Sequence, residues 1–319
     1  MTRSKSRTSF PPAALPCPWL LFCHGQGSNT QTFYSVSEAR FYVKRISDIS
    51  GKQICASFHE WMVMADYYSS DCFLLNLISL ERINLPSWES RHCKFCILSA
   101  PPTDDNCIVG FVSKESEWIM FCRPGDCEWV KHIFEPGIPI LLGYTIYKGE
   151  IYCHGIAKRG ALVILDIVDH RVEVRHVLGE NGTSLPERGN ETLLPEICKM
   201  STYLVESCDE MFAVHISMLG ESSRKIRDID IFKLDLSALE WVKVESIGDC
   251  TFFISEFTGC ISCSATKSGT LGNSIYLMQD HDESMYVFDI EKKCIYAHYP
   301  CPYVGRNVAQ KEWVMPIRT

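Results

Sequence analysis

The sequence predicts an all-β fold, a β-propeller for which six blades is the first choice and five or seven blades are the alternatives. Three observations support this prediction. Short runs rich in Val, Ile, Phe and Tyr are separated by Gly, Asp, Asn and Ser, and the runs show the period of two that is typical of strands. Long amphipathic helical segments are missing from the pattern. A unit of paired strands also recurs along the chain.

The composition indicates a folded, acidic protein. Of its 319 residues 46% are hydrophobic and 22% are charged, which excludes a disordered chain because enough apolar material is present to form a core. The formal net charge of −8, together with the lack of a basic patch, argues against nucleic-acid binding. No run approaches the ~18 apolar residues of a membrane-spanning helix, so we expect no membrane partner.

The recurring unit consists of two apolar strands, an Asp or Asn, a Leu or Ile, a polar turn and a further apolar residue. We expect the Asp or Asn to end a strand, because its side chain can bind the backbone of the turn that follows. A divergent copy runs from Cys107 to Trp129, and its spacing from the other copies fits blades of ~40–50 residues. The clear copies place the Asp or Asn at Asn76, Asp166, Asp235 and Asp289.

Both ends of the chain contribute to the predicted ring. Thr32–Val36 and Arg40–Val43 resemble the last two strands of a blade whose beginning is missing, and Glu312–Met315 is a lone strand near the C-terminus. Joining these segments in one blade closes a ring and removes open sheet edges. We therefore predict a single propeller domain over residues 18–317, preceded by a disordered basic tail over residues 1–17.

Several segments resemble a plant protein family, in the same order along the chain. They include Ser57–Trp61, Leu98–Pro101, Pro124–Asp126, Gly272–Tyr276 and Trp313–Pro316. Through them the chain resembles the F-box-associated, kelch-like β-propeller of the KIB type, formerly called domain of unknown function 295. The resemblance implies protein recognition: in such proteins an N-terminal F-box docks the adaptor of a cullin ubiquitin ligase, and the propeller presents a target.

Two departures from the family pattern bear on function. An F-box needs ~40–50 residues of helical, Leu-rich sequence, and the short basic segment Met1–Pro16 is all that precedes Pro18. This departure leaves docking of the cullin-ligase adaptor in doubt. Glu60 stands where the family usually has glycine after His59, so we expect the tight turn there to be altered or lost.

The sequence predicts a non-enzymatic, monomeric recognition module that binds an unidentified target protein through loops on one face. The alternative is a propeller enzyme of the hydrolase type, with carboxylates around the central channel. The 17 cysteines are odd in number and lie mostly among apolar neighbours, so we expect reduced thiols and a cytoplasmic or nuclear location. Because no acidic residue precedes Glu38, import into a plastid or mitochondrion is the second hypothesis for location.

We assign no residue a catalytic, cofactor-binding or metal-ligating role, and we expect no cofactor. Cys93–Cys96 and Cys260–Cys263 have the CxxC spacing of zinc ligands, but both are expected to lie in strands, where positions three apart face opposite sides. His59 and His154 have no evident catalytic partner and are interpreted as structural. Asp280–Glu283 is interpreted as a solvated hairpin tip rather than a cation loop.

Two groups of aromatic residues lead to different expectations. Trp129 and Trp241 occupy equivalent positions in a four-residue segment that occurs twice, so we expect both to pack between blades. Tyr67, Tyr68 and Ser69–Asp71 lie between two predicted strands, and they are the candidates for surface contacts with a partner.

Overall fold

The computed structural model describes residues 17–66, 68–88, 93–156, 161–168, 171–178, 197–219, 225–255, 259–279, 284–301 and 308–315. Within these ranges 25 strands form six sheets. The sheets pack around a common axis, so the protein is a six-bladed β-propeller. The predicted all-β propeller with six blades is confirmed, and the alternatives of five and seven blades are excluded.

The first half of the ring contains three four-stranded blades. Blade 1 consists of β1 (Trp19–His24), β2 (Thr30–Ser35), β3 (Arg40–Lys44) and β25 (Val308–Val314). Blade 2 consists of β4 (Gln53–Phe58), β5 (Trp61–Ala65), β6 (Cys72–Asn76) and β7 (Arg82–Asn84). Blade 3 consists of β8 (Cys93–Leu98), β9 (Val109–Ser113), β10 (Trp118–Cys122) and β11 (Val130–Ile133).

The second half contains two four-stranded blades and one five-stranded blade. Blade 4 consists of β12 (Ile140–Tyr147), β13 (Glu150–Ile156), β14 (Ala161–Val168) and β15 (Arg171–Leu178). Blade 5 consists of β16 (Ile197–Ser207), β17 (Glu210–Leu219), β18 (Lys225–Asp235) and β19 (Glu240–Lys243). Blade 6 consists of β20 (Cys250–Ile254), β21 (Cys260–Ser264), β22 (Ser274–Met278), β23 (Met285–Asp289) and β24 (Cys294–His298).

The hydrophobic core is divided among the interfaces between blades. Each of six buried clusters joins two neighbouring sheets. Together the clusters cover all six interfaces between adjacent blades, which we call the seams of the ring. At the seam between blades 6 and 1, for example, Leu20 and Trp313 pack with Phe253. A single sheet of this size buries one face at best, whereas the ring buries both faces of every sheet.

Blade 1 closes the ring by pairing the two ends of the chain. β1 pairs with β2 on one side and with β25 on the other, with Trp19 opposite Val314. The predicted closure is confirmed, but the N-terminal side contributes three strands rather than the two expected. The apolar residues of β1 are buried, because this strand lies in the second position of the blade, between two others.

Blade 6 departs from a simple meander of antiparallel strands. β20 pairs antiparallel with β21 on its inner side and parallel with β22 on its outer side. The connection from β21 to β22 contains the helix α1 (Ala265–Ser268), and Ser264 is its N-cap. The Ser264 hydroxyl accepts a hydrogen bond from the Lys267 N–H, as expected for an N-cap. The other helical element in the described ranges is a 3-10 turn, Gln26–Ser28.

Most of the repeated Asp and Asn residues end strands, as predicted. The Asn76 side-chain oxygen accepts hydrogen bonds from the N–H groups of Ile78 and Ser79, at 2.8 and 2.9 Å. Asp235 and Asp289 bind the turns that follow them in the same way. The prediction for Asp166 is wrong, because β14 continues to Val168 and the Asp166 carboxylate instead lies 3.7 Å from the Arg175 guanidinium.

The repeated tryptophans pack between blades, in agreement with their equivalent positions. The Trp241 side chain of blade 5 is buried against blade 4. Trp129 of blade 3 is half-buried against blade 2, and its indole N–H donates to the carbonyls of Pro86 and Ser87 at 3.1 Å. Both residues therefore contact the blade that precedes their own.

Some predicted features lie outside the described residues. These are most of the N-terminal tail, Tyr67 and the Asp280–Glu283 hairpin tip. Within the ranges that are described, no helix has the length and apolar character needed to cross a membrane.

Candidate functional site

A cavity of about 250 Å³ lies at the centre of the ring, where the innermost strands converge. All six blades contribute to its lining, and we call it the channel mouth. Blades 2 and 3 supply Ser57, Phe58, His59 and Leu98, and blade 4 supplies Tyr144, Thr145 and Ile146. Blade 5 supplies Glu206, blade 6 supplies Gly259, Cys260, Ile261 and Ser262, and Met315 follows β25 of blade 1.

Hydrogen bonds between neighbouring blades hold the channel mouth in shape. Each of three bonds joins a lining residue to the adjacent sheet. They run from Ser57 Oγ to the Trp313 carbonyl at 3.4 Å, from the Leu98 N–H to the Tyr144 hydroxyl at 3.2 Å, and from Ser262 Oγ to Ser207 Oγ at 2.6 Å. The mouth is therefore a preformed surface rather than a set of independent loops.

Glu206 is the carboxylate among the lining residues. Burial raises the pKa of this carboxyl group, and the hydrogen bond that its Oε1 accepts from the Asp209 N–H at 3.2 Å opposes the shift. Beside it, burial raises the pKa of the Cys260 thiol to about 12, so this thiol stays protonated at neutral pH. The mouth thus combines one partly buried acid with neutral polar groups.

His59 shapes the blade 2 side of the mouth. It takes the left-handed backbone conformation, with φ of 53°, and its ring contacts Phe58 edge to face with centroids 4.6 Å apart. The tight turn is not lost, because two residues join β4 to β5, and the positive φ falls on His59 rather than on Glu60. The Glu60 carbonyl accepts a hydrogen bond from the Leu77 N–H at 2.8 Å, which joins the turn between β4 and β5 to the turn that follows β6.

The lining is chemically mixed. It offers hydroxyl groups, one carboxylate, one imidazole and a larger number of apolar and aromatic side chains. Across the described part of the chain, no three His, Cys, Asp or Glu side chains are grouped so that they could hold a metal ion. Polar groups set among apolar and aromatic side chains are typical of sites that bind a ligand or a partner.

The two CxxC pairs differ in geometry. Cys260 and Cys263 contact different inter-blade clusters, so they face opposite sides of their strand as predicted. The same prediction is wrong for Cys93 and Cys96, which both contact the cluster between blades 2 and 3. A β-bulge between Cys93 and Phe95 shifts the alternation by one residue and brings the two side chains to the same face.

His154 is buried in the interface between blades 4 and 5, away from solvent. Burial, together with the positive charge of the nearby His215 and Lys94, lowers its pKa to about 4 because both effects oppose protonation. Gly143 lies opposite on β12, and a Cβ atom at this position would come within 3.0 Å of the His154 ring. The imidazole is therefore neutral at pH 7 and fills the space that Gly143 leaves.

The predicted surface contacts lie apart from the channel mouth. Tyr68 is 95% exposed, and its N–H donates to the Asp66 carboxylate at 2.8 Å. That hydrogen bond lowers the pKa of Asp66. The loop follows β5 at the end opposite to the His59 turn, so the structure does not bring Tyr68 together with the mouth.

The sequence interpretation missed most residues of the channel mouth. Tyr144, Glu206 and Ser262 come from three different blades, and nothing in the spacing of these residues relates one to another. Their shared feature is position on the innermost strand of a blade. That signal becomes usable once the order of strands within each blade is known.

The family of this chain follows from comparison with known proteins. The model of the KIB1-4 beta-propeller family matches residues 33–289. The chain therefore belongs to this family, as the resemblance in the sequence indicates.

Curated relatives from Arabidopsis thaliana match most of the chain. A putative F-box protein (At5g66830) is 23% identical, over 98% of this chain and 84% of that protein. An F-box/kelch-repeat protein (At1g57790) is 22% identical, over 85% of this chain and 74% of its own length. Another putative F-box protein (At4g22180) is 21% identical, over 98% of this chain and 86% of that protein.

Proposed function

We propose that this protein is a non-enzymatic recognition module that binds a target protein across the channel mouth. The observation that supports this most directly is the mouth itself, which all six blades build and three inter-blade hydrogen bonds hold in shape. Membership of a propeller family whose relatives are named F-box proteins supports the same function. A rigid surface of this kind binds a partner without a large ordering cost.

The turns that follow β6 and β18, which we call the rim, favour a protein as the ligand. The turns that follow β6 and β18 lie at the same end of the blades as the mouth, since Trp61 pairs with Asn76 and Phe212 with Lys233. These turns expose branched apolar side chains, each 38–45% accessible: Ile78, Leu80, Leu236 and Leu239. Exposed apolar side chains beside a preformed surface of mixed polar and apolar groups are typical of sites that bind a protein.

Affinity capture with rim variants tests the proposal. The double variant Leu80→Asn with Leu239→Asn removes apolar side chains from two blades, and Asn tolerates the positive φ of both positions. We expect it to retain at least tenfold less target than the wild type, an estimate of roughly 1.4 kcal/mol or more. Captured proteins are identified by mass spectrometry and quantified against the immobilised chain.

A matched control separates the rim from general surface effects. Val43→Thr with Ile133→Thr changes exposed apolar residues on outermost strands of two other blades, and this variant should retain the target fully. Equal retention by the rim variant and the wild type would refute binding at the channel mouth.

The same capture separates the remaining functional hypotheses. Recovery of a cullin-ligase adaptor together with the target would extend the function to that of a ligase receptor. The hydrolase alternative calls for carboxylates around the channel, typically a pair in glycoside hydrolases, and the described lining contributes Glu206. If Glu206→Gln abolished a hydrolytic activity of the purified chain, that alternative would replace the recognition module.

A further inference from the structure

Two cysteines place their thiols in contact across the seam between blades 5 and 6. The Sγ atoms of Cys208 and Cys250 are 3.6 Å apart. Cys208 lies in the exposed turn that joins β16 to β17, and Cys250 is the partly exposed first residue of β20. The residue before Cys208 is hydrogen-bonded across the same seam to Ser262, so the two blades are held in register at this point.

This pair differs from the buried thiols of the protein in its access to solvent. Burial raises the pKa values of the Cys23 and Cys72 thiols to about 12, which leaves them protonated and unreactive. Cys208, in contrast, is exposed. Burial also raises the pKa of Cys250, so we expect Cys208 to react first with a reagent from solvent.

We propose that Cys208 and Cys250 form a reversible disulfide when the protein meets a disulfide oxidant such as oxidised glutathione. The Cys208 thiolate attacks one sulfur of the oxidant, forming a mixed disulfide and releasing one glutathione thiolate. The Cys250 thiolate then attacks the Cys208 sulfur, forming the bridge and releasing the second glutathione thiolate. The two protons lost by the cysteines pass to these two glutathione thiolates. The cysteine pair thereby loses two electrons, and one molecule of oxidised glutathione gains them.

Forming the bond requires a small local movement. A disulfide needs the sulfur atoms at about 2.05 Å, so the two sulfur atoms must approach each other by roughly 1.5 Å from their separation of 3.6 Å. Cys208 lies in a turn at the surface, between the last paired residues of β16 and β17, Ser207 and Glu210, and both residues of the turn have a positive φ. The bridge would fasten blade 5 to blade 6 next to Glu206 at the channel mouth.

Mass spectrometry of the full chain in a glutathione redox buffer tests this proposal. In the wild type we expect a loss of about 2 Da on oxidation, a peptide that links Cys208 to Cys250, and reversal by excess reduced glutathione. With Cys250→Ser we expect an adduct of about 305 Da at Cys208 instead, because the resolving thiol is missing. Cys127→Ser removes another exposed thiol and should leave the bridge unchanged.

The redox titration has outcomes that contradict the proposal. A stable glutathione adduct on Cys208 in the wild type, with Cys250 still reduced, would show that the two thiols do not close. A bridge from either cysteine to a different partner would equally overturn the assignment. Circular dichroism of each variant establishes that the fold is retained before the titration is interpreted.

Discussion

At the scale of single residues, His154 shows how the interface between blades controls ionisation. Its imidazole is buried, and His215 on β17 and Lys94 on β8 both add positive charge nearby. These neighbours act in the same direction as burial, so the folded protein holds His154 neutral down to about pH 4. An unfolded chain protonates the same imidazole near pH 6.5.

This difference predicts that acid weakens the fold through His154. Because the folded pKa lies below the unfolded one, the unfolded state binds more protons below about pH 6.5, and stability falls as the pH falls towards 4. Between pH 7 and pH 5 we expect His154 to contribute a loss of about 2 kcal/mol in the free energy of unfolding. Urea titrations at several pH values measure this slope.

Variants of two histidines in blade 4 test the pH prediction. His154→Leu should remove the part of the fall in the free energy of unfolding between pH 7 and pH 5 that His154 causes. This holds whatever the effect of the substitution on stability at pH 7. His176→Gln changes an exposed histidine on β15 and should keep the wild-type pH dependence. The prediction is contradicted if both variants show the same slope as the wild type.

At the scale of the strand and turn, an Asp or Asn side chain ends the strand next to the outermost one in blades 2, 5 and 6. Asn76 does this in blade 2 from a buried position, with its side-chain oxygen on two backbone N–H groups. Asp235 does the same in blade 5 from a half-buried position. An acceptor is required at this place because the turn's N–H groups have no ladder partner.

Replacing this acceptor should cost stability. We expect Asn76→Ala to lower the free energy of unfolding by about 1–2 kcal/mol, because the N–H groups of Ile78 and Ser79 lose the buried acceptor that orders the turn. Asn76→Asp keeps the acceptor that other blades use and should retain most of that energy. Equal losses for both variants in urea titrations would show that the contribution comes from packing and not from the hydrogen bonds.

The elements also show where prediction from sequence succeeds and where it fails. The turn anchors at 76, 235 and 289 follow from local chemistry, since the short side chain of an Asp or Asn after an apolar run readily accepts hydrogen bonds from the backbone close to it. The bulge in β8 and the crossover in blade 6 depend on pairing with strands elsewhere in the sheet. Alternation alone therefore predicts opposite faces for Cys93 and Cys96, and the bulge in the pairing of β8 with β9 brings both to the same face.

At the scale of the whole molecule, the ring explains why the channel mouth was hard to foresee. The number of blades follows from repeat spacing, and the closure follows from strand-like segments at both ends of the chain. The mouth collects one to four residues from each blade, separated by up to 258 positions between Ser57 and Met315. Such a set is defined by radial position, which a linear pattern does not encode.

Hydrogen–deuterium exchange of the complex with its captured target tests the central claim, that the target binds across the channel mouth. We predict that binding slows exchange in the turns at the mouth end of the blades, over residues 59–60, 77–81, 208–209 and 236–239, in at least two separate blades. The outermost strands β3 and β11 should exchange as in the free protein. Protection confined to those outer strands, with the mouth turns unchanged, would contradict the account.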